Sequence, residues 1–364
     1  MMEEPKYIQL KQEILSWLVS GRFIIEGKIP SEKEISDIFH TSRHTVRHAL
    51  GILDKEGFLH KVKGKGTFVS HLSCSNEIQT KTIGFLTSNI MNVNFPSIIK
   101  GVEETLRNKG YNLLLSSTDH DKKKEEEQLK KLISHPLGGL IIEPTKSALE
   151  NRNLNSFISL MNQNIPFLMI NDRYTELNCP CLKQDEDEGG FIAAQHLIQL
   201  GHRRIAGLFK TDDLQGVHRL KGFIRAHSMY NIQLNPDLII SYENDFKVLE
   251  SARSLLQKKE ERPTAIVCYN DELAIKLLDV IKQTGLKVPE EVSLVSFDDS
   301  YLARVTQVKL TSLKYSKVEM GRAAAEMLIN KIENREMQWD KEILFKPELI
   351  VRNSTQRNKE PLFV

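Results

Sequence analysis

Residues 30–69 read PSEKEISDIFHTSRHTVRHALGILDKEGFLHKVKGKGTFV, and this stretch decides the fold of the front of the chain. Ser31 and Glu34 have the spacing of a capping box, which predicts a helix beginning at that serine. Ser42 follows a break in the helical pattern and is suited to cap a second helix, which reaches about Glu56. The stretch therefore predicts a helix, a turn and a second helix.

The apolar residues of this region recur at the spacing of amphipathic helices. A third helix, upstream of the pair, completes a small hydrophobic core. The predicted core positions are Ile35, Ile38 and Phe39 in the first helix of the pair, Val46, Leu50 and Leu53 in the second, and Tyr7, Leu10, Ile14, Leu15 and Leu18 upstream.

A second face of the Ser42-capped helix is basic. Arg43 and Arg47 lie one turn apart and must share this face, with His44 and Thr45 beside them near the helix start. A recognition helix presents its N-terminal residues to base edges in the major groove of DNA. The pattern therefore favours a DNA-reading helix over the solvated face of an ordinary helical domain.

A basic hairpin follows the helix pair. Residues 58–62 and 67–69 read as strands on either side of the Lys-Gly-Lys-Gly tip at 63–66. Residues 40–70 hold six Lys and Arg against two acids, a net charge of +4, whereas the whole chain carries +2. Positive charge is thus concentrated where phosphates would bind, and DNA affinity should fall with salt.

Two other interpretations of these residues do not fit. The glycine-rich tip lacks the G-x-x-x-x-G-K-[ST] spacing of a phosphate-binding loop and leads into a strand. His40, His44 and His48 recur every fourth residue, but no cysteine or carboxylate cluster completes a metal site. We predict neither a metal nor a cofactor.

The segments PSEKEIS, SRHTVRHAL and GKGTFV closely resemble the winged helix-turn-helix of the GntR family of bacterial regulators, over Pro5 to Val69. The resemblance implies double-stranded operator DNA as a partner, with base contacts from Arg43 and Arg47. The further predicted DNA contacts are Lys6, Tyr7, Glu32, Ser42, His44, Thr45, Lys63, Gly64, Lys65 and Gly66.

The remainder of the 364-residue chain is too long for such a module alone. Apolar content of 40% and the absence of a membrane-length apolar run or an export signal predict a cytoplasmic protein with reduced cysteines. Cys179 and Cys181 form a lone pair, a weak signal for a metal or redox site. The predicted division is a DNA-binding domain at 1–70, a linker at 71–81, an effector domain at 82–356 and a tail at 357–364.

From residue 82 onward, short apolar strands alternate with helices, which is typical of an α/β fold with parallel sheets. The strand–loop–helix units that open at Ile83 and Ile205 have nearly the same spacing, which suggests two similar lobes, although chance similarity remains an alternative. The charged run at 122–127 is interpreted as a solvated helix face. Predicted strands are 82–86, 112–116, 138–142, 167–170, 204–209, 238–241, 265–268 and 292–297, with helices at 97–109, 125–134, 189–200, 217–226, 246–257 and 271–284.

Polar residues follow several of these strands, at the strand ends where open α/β sheets bind ligands. Carboxylates and amides together with an arginine suit a polyhydroxylated molecule, and Phe95 could lie against the C–H face of a sugar ring. The strand-end residues are Glu143, Asn171-Asp172-Arg173, Asn270-Asp271 and Asp298-Asp299. The alternative is that they cap the following helices. We favour capping for Asp271 and Asp299, and ligand binding for Glu143, Asn270 and Asp298.

Five segments resemble the effector domain of lactose- and galactose-repressor-type regulators, which is similar to periplasmic sugar-binding proteins. They are GHRRIAGL at 201–208, HRLKGF at 218–223, PTAIVCYNDELAI at 263–275, VPEEVSLVSFDDS at 288–300 and KLTSLKYSKVEMG at 309–321. The resemblance implies a two-lobed, periplasmic-binding-protein-like α/β/α sandwich. The predicted effector contacts are Phe95, Glu143, Asn171, Arg173, Asp185, Arg219, Asn270 and Asp298, of which Arg219 is implied by the resemblance alone.

A GntR-type head on this body resembles the arabinose-operon repressors of low-GC Gram-positive bacteria, and this implies L-arabinose as a small sugar effector. We expect a repressor that acts as a homodimer without a membrane partner. The rivals are a regulator of a different sugar or a nucleoside-like effector, a sugar-processing enzyme with a DNA-binding head, and a transport-type binding protein. No nucleophile elbow, HExxH or Walker loop supports an enzyme. Whether the sugar is an inducer or a co-repressor is left open.

Overall fold

The computed structural model describes residues 5–19, 27–55, 58–62, 65–69, 80–334, 336, 338–339 and 342–358. Lys63 and Gly64 of the predicted hairpin tip, most of the predicted linker and the end of the tail lie outside the described residues. The predicted domain boundaries therefore stay predictions.

The front of the chain forms the expected helices and hairpin. Its elements are α1 (Lys6–Val19), α2 (Glu32–Ile38), α3 (Arg43–Lys55), β1 (Leu59–Val62) and β2 (Gly66–Val69). The capping box is present, since the Glu34 amide donates to Ser31 Oγ at 3.3 Å and the Ser31 amide donates to Glu34 Oε2 at 2.7 Å. The start of α2 is thus confirmed.

The core of this head contains Val46, Leu50 and Leu53, all buried as predicted, with Leu10 and Ile14 of α1 packed on them. The predicted burial of Ile38 was wrong, because its side chain is 51% exposed. The helix α2 has only seven residues and buries Ile35 alone, so its last residue extends beyond the contact with α3.

The hairpin of β1 and β2, which forms the wing, has a third edge segment at Lys28 that the sequence did not indicate. Strands β1 and β2 pair antiparallel, and Lys28 forms an isolated bridge with Phe68 on the other side of β2. Gly66 has a φ of +127°, and a Cβ there would lie 2.6 Å from Cε of Lys28. The backbone conformation therefore favours glycine at this position, whereas the flexible end of Lys28 could move aside.

The rest of the described chain forms two lobes. The first series of elements is β3 (Thr82–Thr87), α4 (Phe95–Asn108), β4 (Asn112–Ser117), α5 (Lys122–Ile133), β5 (Gly139–Ile142), α6 (Leu154–Asn162), β6 (Phe167–Ile170) and β7 (Cys181–Gln184). The second is α7 (Glu186–Gln199), β8 (Ile205–Lys210), α8 (Leu214–Met229), β9 (Ile239–Tyr242), α9 (Asp245–Gln257), β10 (Ala265–Cys268), α10 (Asp271–Gln283), β11 (Ser293–Asp298), α11 (Leu302–Val305), β12 (Thr311–Lys314), α12 (Lys317–Glu333), β13 (Glu342–Phe345) and β14 (Glu348–Ile350).

Each lobe is built on a six-stranded sheet, and the two sheets have the same order. The order is β13-β7-β6-β5-β3-β4 in the first lobe and β14-β12-β11-β10-β8-β9 in the second. All strand pairs are parallel except β12 with β14. The predicted α/β fold with two similar lobes is confirmed.

The chain crosses between the lobes after β7, after β12 and after β13. As a result, α7 packs in the core of the second lobe with Phe209 and Phe223, whereas α12 packs in the core of the first lobe against α4. The crossing segments therefore lie between the two sheets, where the strand ends of both lobes meet.

The predicted strands and helices agree with the structure to within a few residues, but α6, α11, α12, β7 and β12–β14 were not predicted. The interpretation of residues 122–127 was wrong for Glu125, whose side chain is fully buried and accepts hydrogen bonds from Tyr174 Oη and the Thr145 amide. Within the described ranges, no helix is long and apolar enough to cross a membrane, and no cluster of three His, Cys, Asp or Glu could hold a metal ion.

Candidate DNA-contacting surface and interlobe cleft

The start of α3 is held by its own residues. Ser42 Oγ accepts from the Thr45 amide at 3.1 Å and lies 2.8 Å from Thr45 Oγ1, so Ser42 caps the helix. Arg43 and His44 are exposed on the first turn. This arrangement leaves the first turn of α3 open to a ligand on its outer side.

Arg47 is oriented by a carboxylate from the preceding helix. Its Nε and Nη2 donate to Glu32 Oε2 at 3.1 and 2.9 Å, and the two side chains are 67% and 29% exposed. The hydrogen bond from Arg47 lowers the pKa of Glu32, and the same contact raises the pKa of Arg47. The guanidinium is thus held in place while most of its surface stays accessible.

The other predicted DNA contacts lie at the surface or are half-buried. The ring of Tyr7 stacks on His48 of α3 with centroids 4.2 Å apart, which ties α1 to the reading helix. The exposed positions are Lys6, Ser42, Arg43, His44, Arg47 and Lys65, and the half-buried ones are Tyr7, Glu32, Thr45 and Gly66.

A cleft lies between the two lobes, with about 430 Å³ of space that is partly open to solvent. Six predicted effector residues line it: Phe95, Glu143, Asn171, Arg219, Asn270 and Asp298. Six polar residues that the sequence analysis missed also line it: Asn89, Asn92, Asn94, Gln215, Tyr269 and Tyr315.

Glu143 is the centre of the first-lobe side of the cleft. Its Oε2 accepts from Thr87 Oγ1 at 2.6 Å and from the amide and hydroxyl of Ser88 at 2.8 Å each. Its Oε1 accepts from Asn171 Nδ2 at 2.6 Å. One oxygen is therefore fully used by the protein, and the other retains acceptor capacity toward the cleft.

Arg219 is the centre of the second-lobe side. Its Nε and Nη2 donate to Glu186 at 2.7 and 2.9 Å, and its Nη1 donates to the carbonyl of Tyr269 at 2.6 Å. The guanidinium lies over the ring of Phe297 at 4.3 Å. Burial would lower the pKa of Arg219, but the Glu186 carboxylate and its hydrogen bonds raise it instead, so the side chain is a permanently charged donor.

Two strand-end residues of the second lobe complete this side. Asp298 is 4% exposed, has a φ of +98° and places Oδ1 3.9 Å from Nη2 of Arg219. Asn270 lines the cleft but also caps α10, because its Oδ1 accepts from the Leu273 amide at 2.9 Å. Asn270 is thus a helix cap that also lies in the lining of the cleft.

The preference for Asp271 and Asp299 as helix caps was wrong. Asp271 is buried and accepts from the hydroxyls of Ser296 and Ser312 at 2.5 and 2.8 Å. Asp299 pairs with Arg304 and with Arg352, at 2.6 and 2.5 Å. Both carboxylates are buried, and each has a partner from a distant part of the chain, Ser312 for Asp271 and Arg352 for Asp299.

Two predicted effector residues are not in the cleft lining. Arg173 lies beside Glu342 at 3.6 Å, because its side chain turns toward the edge strand β13. Asp185 caps α7 by accepting from the Glu188 amide at 3.0 Å, so its carboxylate serves the helix start. Neither residue belongs to the described lining, and each side chain has a partner elsewhere in the fold.

Contacts outside the cleft join the lobes. The Leu214 amide donates to Ser147 Oγ at 2.9 Å, and His218 Nδ1 lies 3.3 Å from Asp172 Oδ2. Inside the cleft, Asn94 Oδ1 is buried and has no hydrogen-bond partner among the described residues. The site is thus bounded on both sides and retains an acceptor that the protein does not use.

The head and the body together define a ligand-responsive transcription regulator. A model of the gntR family of bacterial regulatory proteins matches residues 6–69, and one of periplasmic binding protein-like domains matches residues 194–355. The chain is 57% identical to an arabinose metabolism transcriptional repressor of Geobacillus stearothermophilus, over 97% of this chain and 98% of the relative. The chain belongs to the family of arabinose metabolism transcriptional repressors.

Two further comparisons agree with this assignment. An arabinose metabolism transcriptional repressor of Halalkalibacterium halodurans is 42% identical, over 98% of each chain. The solved structure of a LacI family transcriptional regulator from Enterococcus faecium, with bound ribose, matches with a TM-score of 0.65 and 25% identity, over 76% of this chain and all of that one. The resemblances inferred from the sequence are confirmed for both parts of the chain.

Proposed function

We propose that this chain represses genes of L-arabinose use by binding operator DNA through α3 and the wing, and that L-arabinose in the interlobe cleft releases it. The observation that supports this most is the cleft itself, where carboxylate, amide and guanidinium groups from both lobes surround Phe95. The relatives named for arabinose metabolism and the ribose bound to the E. faecium regulator support a sugar of pentose size.

The chemistry of the cleft fits a polyol that bridges the lobes. Glu143 and Asp298 supply acceptors for adjacent hydroxyls, Arg219 supplies fixed donors, and Asn94 Oδ1 is an acceptor that needs a donor. Phe95 is buried against Phe85 with its ring in the lining, and it suits the C–H face of the sugar. A ligand that contacts both sides should stabilise the lobes in one relative position.

Release then follows from a change of lobe position in a homodimer. Two copies present two heads to the halves of a near-palindromic operator, and the distance between the heads must match the half-site spacing. A coupling free energy of about 1–3 kcal/mol between sugar and DNA suffices for a 5- to 150-fold change in operator affinity.

A fluorescence anisotropy titration of labelled operator DNA with and without L-arabinose tests the proposal. We expect saturating sugar to weaken operator binding by at least fivefold. Unchanged operator affinity would refute the arabinose assignment. Tighter operator binding would make the sugar a co-repressor. The Asp298→Ala variant is the matched comparison, since it should bind operator normally and ignore the sugar. Sugar recovered chemically unchanged after incubation would accord with a regulator that has no enzymatic activity.

A further inference from the structure

Tyr315 lies in the segment that crosses from β12 of the second lobe to α12 of the first. It is half-buried and lines the cleft, and although it lies within the 309–321 segment that carries the family resemblance, it was not among the predicted effector contacts. The crossing segment is shared by both lobes, so a side chain on it can act on either one.

The hydroxyl of Tyr315 reaches a predicted effector residue of the first lobe. It donates to Asn171 Oδ1, and it also lies 3.2 Å from Met320 Sδ. An amide oxygen is a far better acceptor than a thioether, so the single hydroxyl proton goes to Asn171. Burial raises the pKa of Tyr315 well above its ordinary value, and the charge of Glu143 raises it further, so the hydroxyl stays protonated at physiological pH.

This contact determines which way the Asn171 amide faces. The Asn171 oxygen is held by Tyr315 and its nitrogen donates to Glu143 Oε1 at 2.6 Å. A reversed amide would place two acceptors, the amide oxygen and the Glu143 carboxylate, against each other. With both the oxygen and the nitrogen of the Asn171 amide engaged, one N–H of Asn171 and one lone pair of Glu143 Oε1 remain for a ligand.

We propose that Tyr315 is a positioning residue that fixes the Asn171–Glu143 pair and thereby makes the cleft select one hydroxyl configuration of the sugar. This inference rests on the proposed binding of L-arabinose in the cleft. The contacts from Tyr315 to Asn171 and from Asn171 to Glu143 present an N–H donor of Asn171 and the Oε1 acceptor of Glu143 side by side, in a fixed order. A sugar whose hydroxyl is inverted at the carbon that meets this pair cannot match both groups.

The Tyr315→Phe variant tests this, because it removes one oxygen and keeps the ring. Calorimetry should compare L-arabinose with L-ribose, L-lyxose and D-xylose, which differ from it at C2, C3 and C4 respectively. We expect affinity for L-arabinose to fall about tenfold, the typical effect of leaving a buried acceptor without its donor. The preference for L-arabinose over one of the three epimers should narrow, because the Asn171 amide is then held at one end only, by Glu143, and can tilt to meet the inverted hydroxyl.

Two comparisons separate positioning from packing. In an Asn171→Ala background, Tyr315→Phe should have almost no further effect on affinity if Tyr315 acts through Asn171. The control variant is Tyr174→Phe, which removes the hydroxyl of a buried tyrosine that contacts Glu125, outside the cleft lining. It should leave both the affinity and the epimer preference as in the wild type.

The outcomes are distinguishable from those of the proposed function. Wild-type protein that does not bind L-arabinose contradicts the effector assignment itself. Wild-type binding with an unchanged epimer preference in Tyr315→Phe overturns the positioning role, whatever the change in affinity. The epimer preference also decides the matter if Asn171→Ala binds too weakly for the double variant to be measured.

Discussion

Two arginine–glutamate pairs, one in each functional region, show how differently the same chemistry is used. Arg47 and Glu32 pair on the head with 67% and 29% of their side chains exposed, whereas Arg219 and Glu186 pair in the body with 4% and 3% exposed. Both arginines use Nε and Nη2 to contact one carboxylate. The largest difference between the two pairs is in their surroundings.

The difference explains what each arginine can do. An exposed pair exchanges readily with water and salt, so Arg47 can leave Glu32 for a base edge or a phosphate at little cost. A buried arginine cannot be left without a counterion, so Arg219 depends on Glu186 for its presence in the cleft. The head therefore carries adaptable groups, while the body carries fixed ones.

The largest expected effect follows from breaking the buried pair. Glu186→Gln keeps the shape of the side chain but leaves Arg219 without a hydrogen-bonded carboxylate, since Asp298 comes no closer than 3.9 Å. We expect the body to lose roughly 3–5 kcal/mol of unfolding free energy, measured by urea denaturation.

The matched control is the double variant Glu186→Gln with Arg219→Met. It removes the buried charge altogether, so it should recover most of the lost stability while still failing to bind sugar. A single Glu186→Gln variant with nearly wild-type stability would show that the surroundings of Arg219 are wetter than the structure indicates.

The next effect concerns DNA. Arg47→Ala should weaken operator binding about 10- to 100-fold, as expected for the loss of one base-contacting arginine, and leave sugar binding intact. Anisotropy titrations for DNA and calorimetry for sugar measure the two activities. A folded Arg47→Ala protein that has lost both activities would contradict the division into two functional regions.

A pH effect on stability is expected in the buried region. Burial, then the charge of Asp298, raise the pKa of Asp271 to about 6 from 3.8, although Ser296, Ser300 and Ser312 donate hydrogen bonds to its carboxylate. The folded state then binds the proton more tightly than the unfolded state. This contribution to stability is therefore complete below about pH 4 and is lost as the pH rises to about 6.

Asp271→Asn removes this titration. Between pH 4 and pH 7, the wild type should lose roughly 2–3 kcal/mol of stability relative to the variant, as read from urea midpoints of both proteins at each pH. A stability difference that does not change with pH would assign Asp271 an ordinary pKa.

The contrast between the regions also explains what could be predicted from the sequence. The head is made of local contacts: the capping box of Ser31 and Glu34, and the arginines one turn apart, are within a few residues of each other. In the body, the ends of β5, β6, β10 and β11 indicated Glu143, Asn171, Asn270 and Asp298, since parallel strands end at one edge. These features follow from periodicity alone.

Glu186 and Tyr315 could not be predicted, because both lie where the chain crosses between the lobes. Glu186 is 33 residues from Arg219, and Tyr315 is 144 residues from Asn171, so no local pattern links the members of either pair. Arg173 and Asp185 lie outside the cleft lining, because a polar residue after a strand can equally turn to an edge strand or cap the next helix. Only the fold distinguishes these outcomes.

The smallest effect completes the comparison of the two pairs. Glu32→Gln removes the counterion of Arg47 just as Glu186→Gln removes that of Arg219, but the exposed guanidinium keeps its hydration. The urea midpoint of the head should therefore not change measurably, and operator affinity should change by less than tenfold. Any such change should disappear in an Arg47→Ala background, because Glu32 would then have no arginine to orient. A clear loss of stability in Glu32→Gln would mean that the exposed pair is structural, and the contrast between an adaptable head and a fixed cleft would no longer hold.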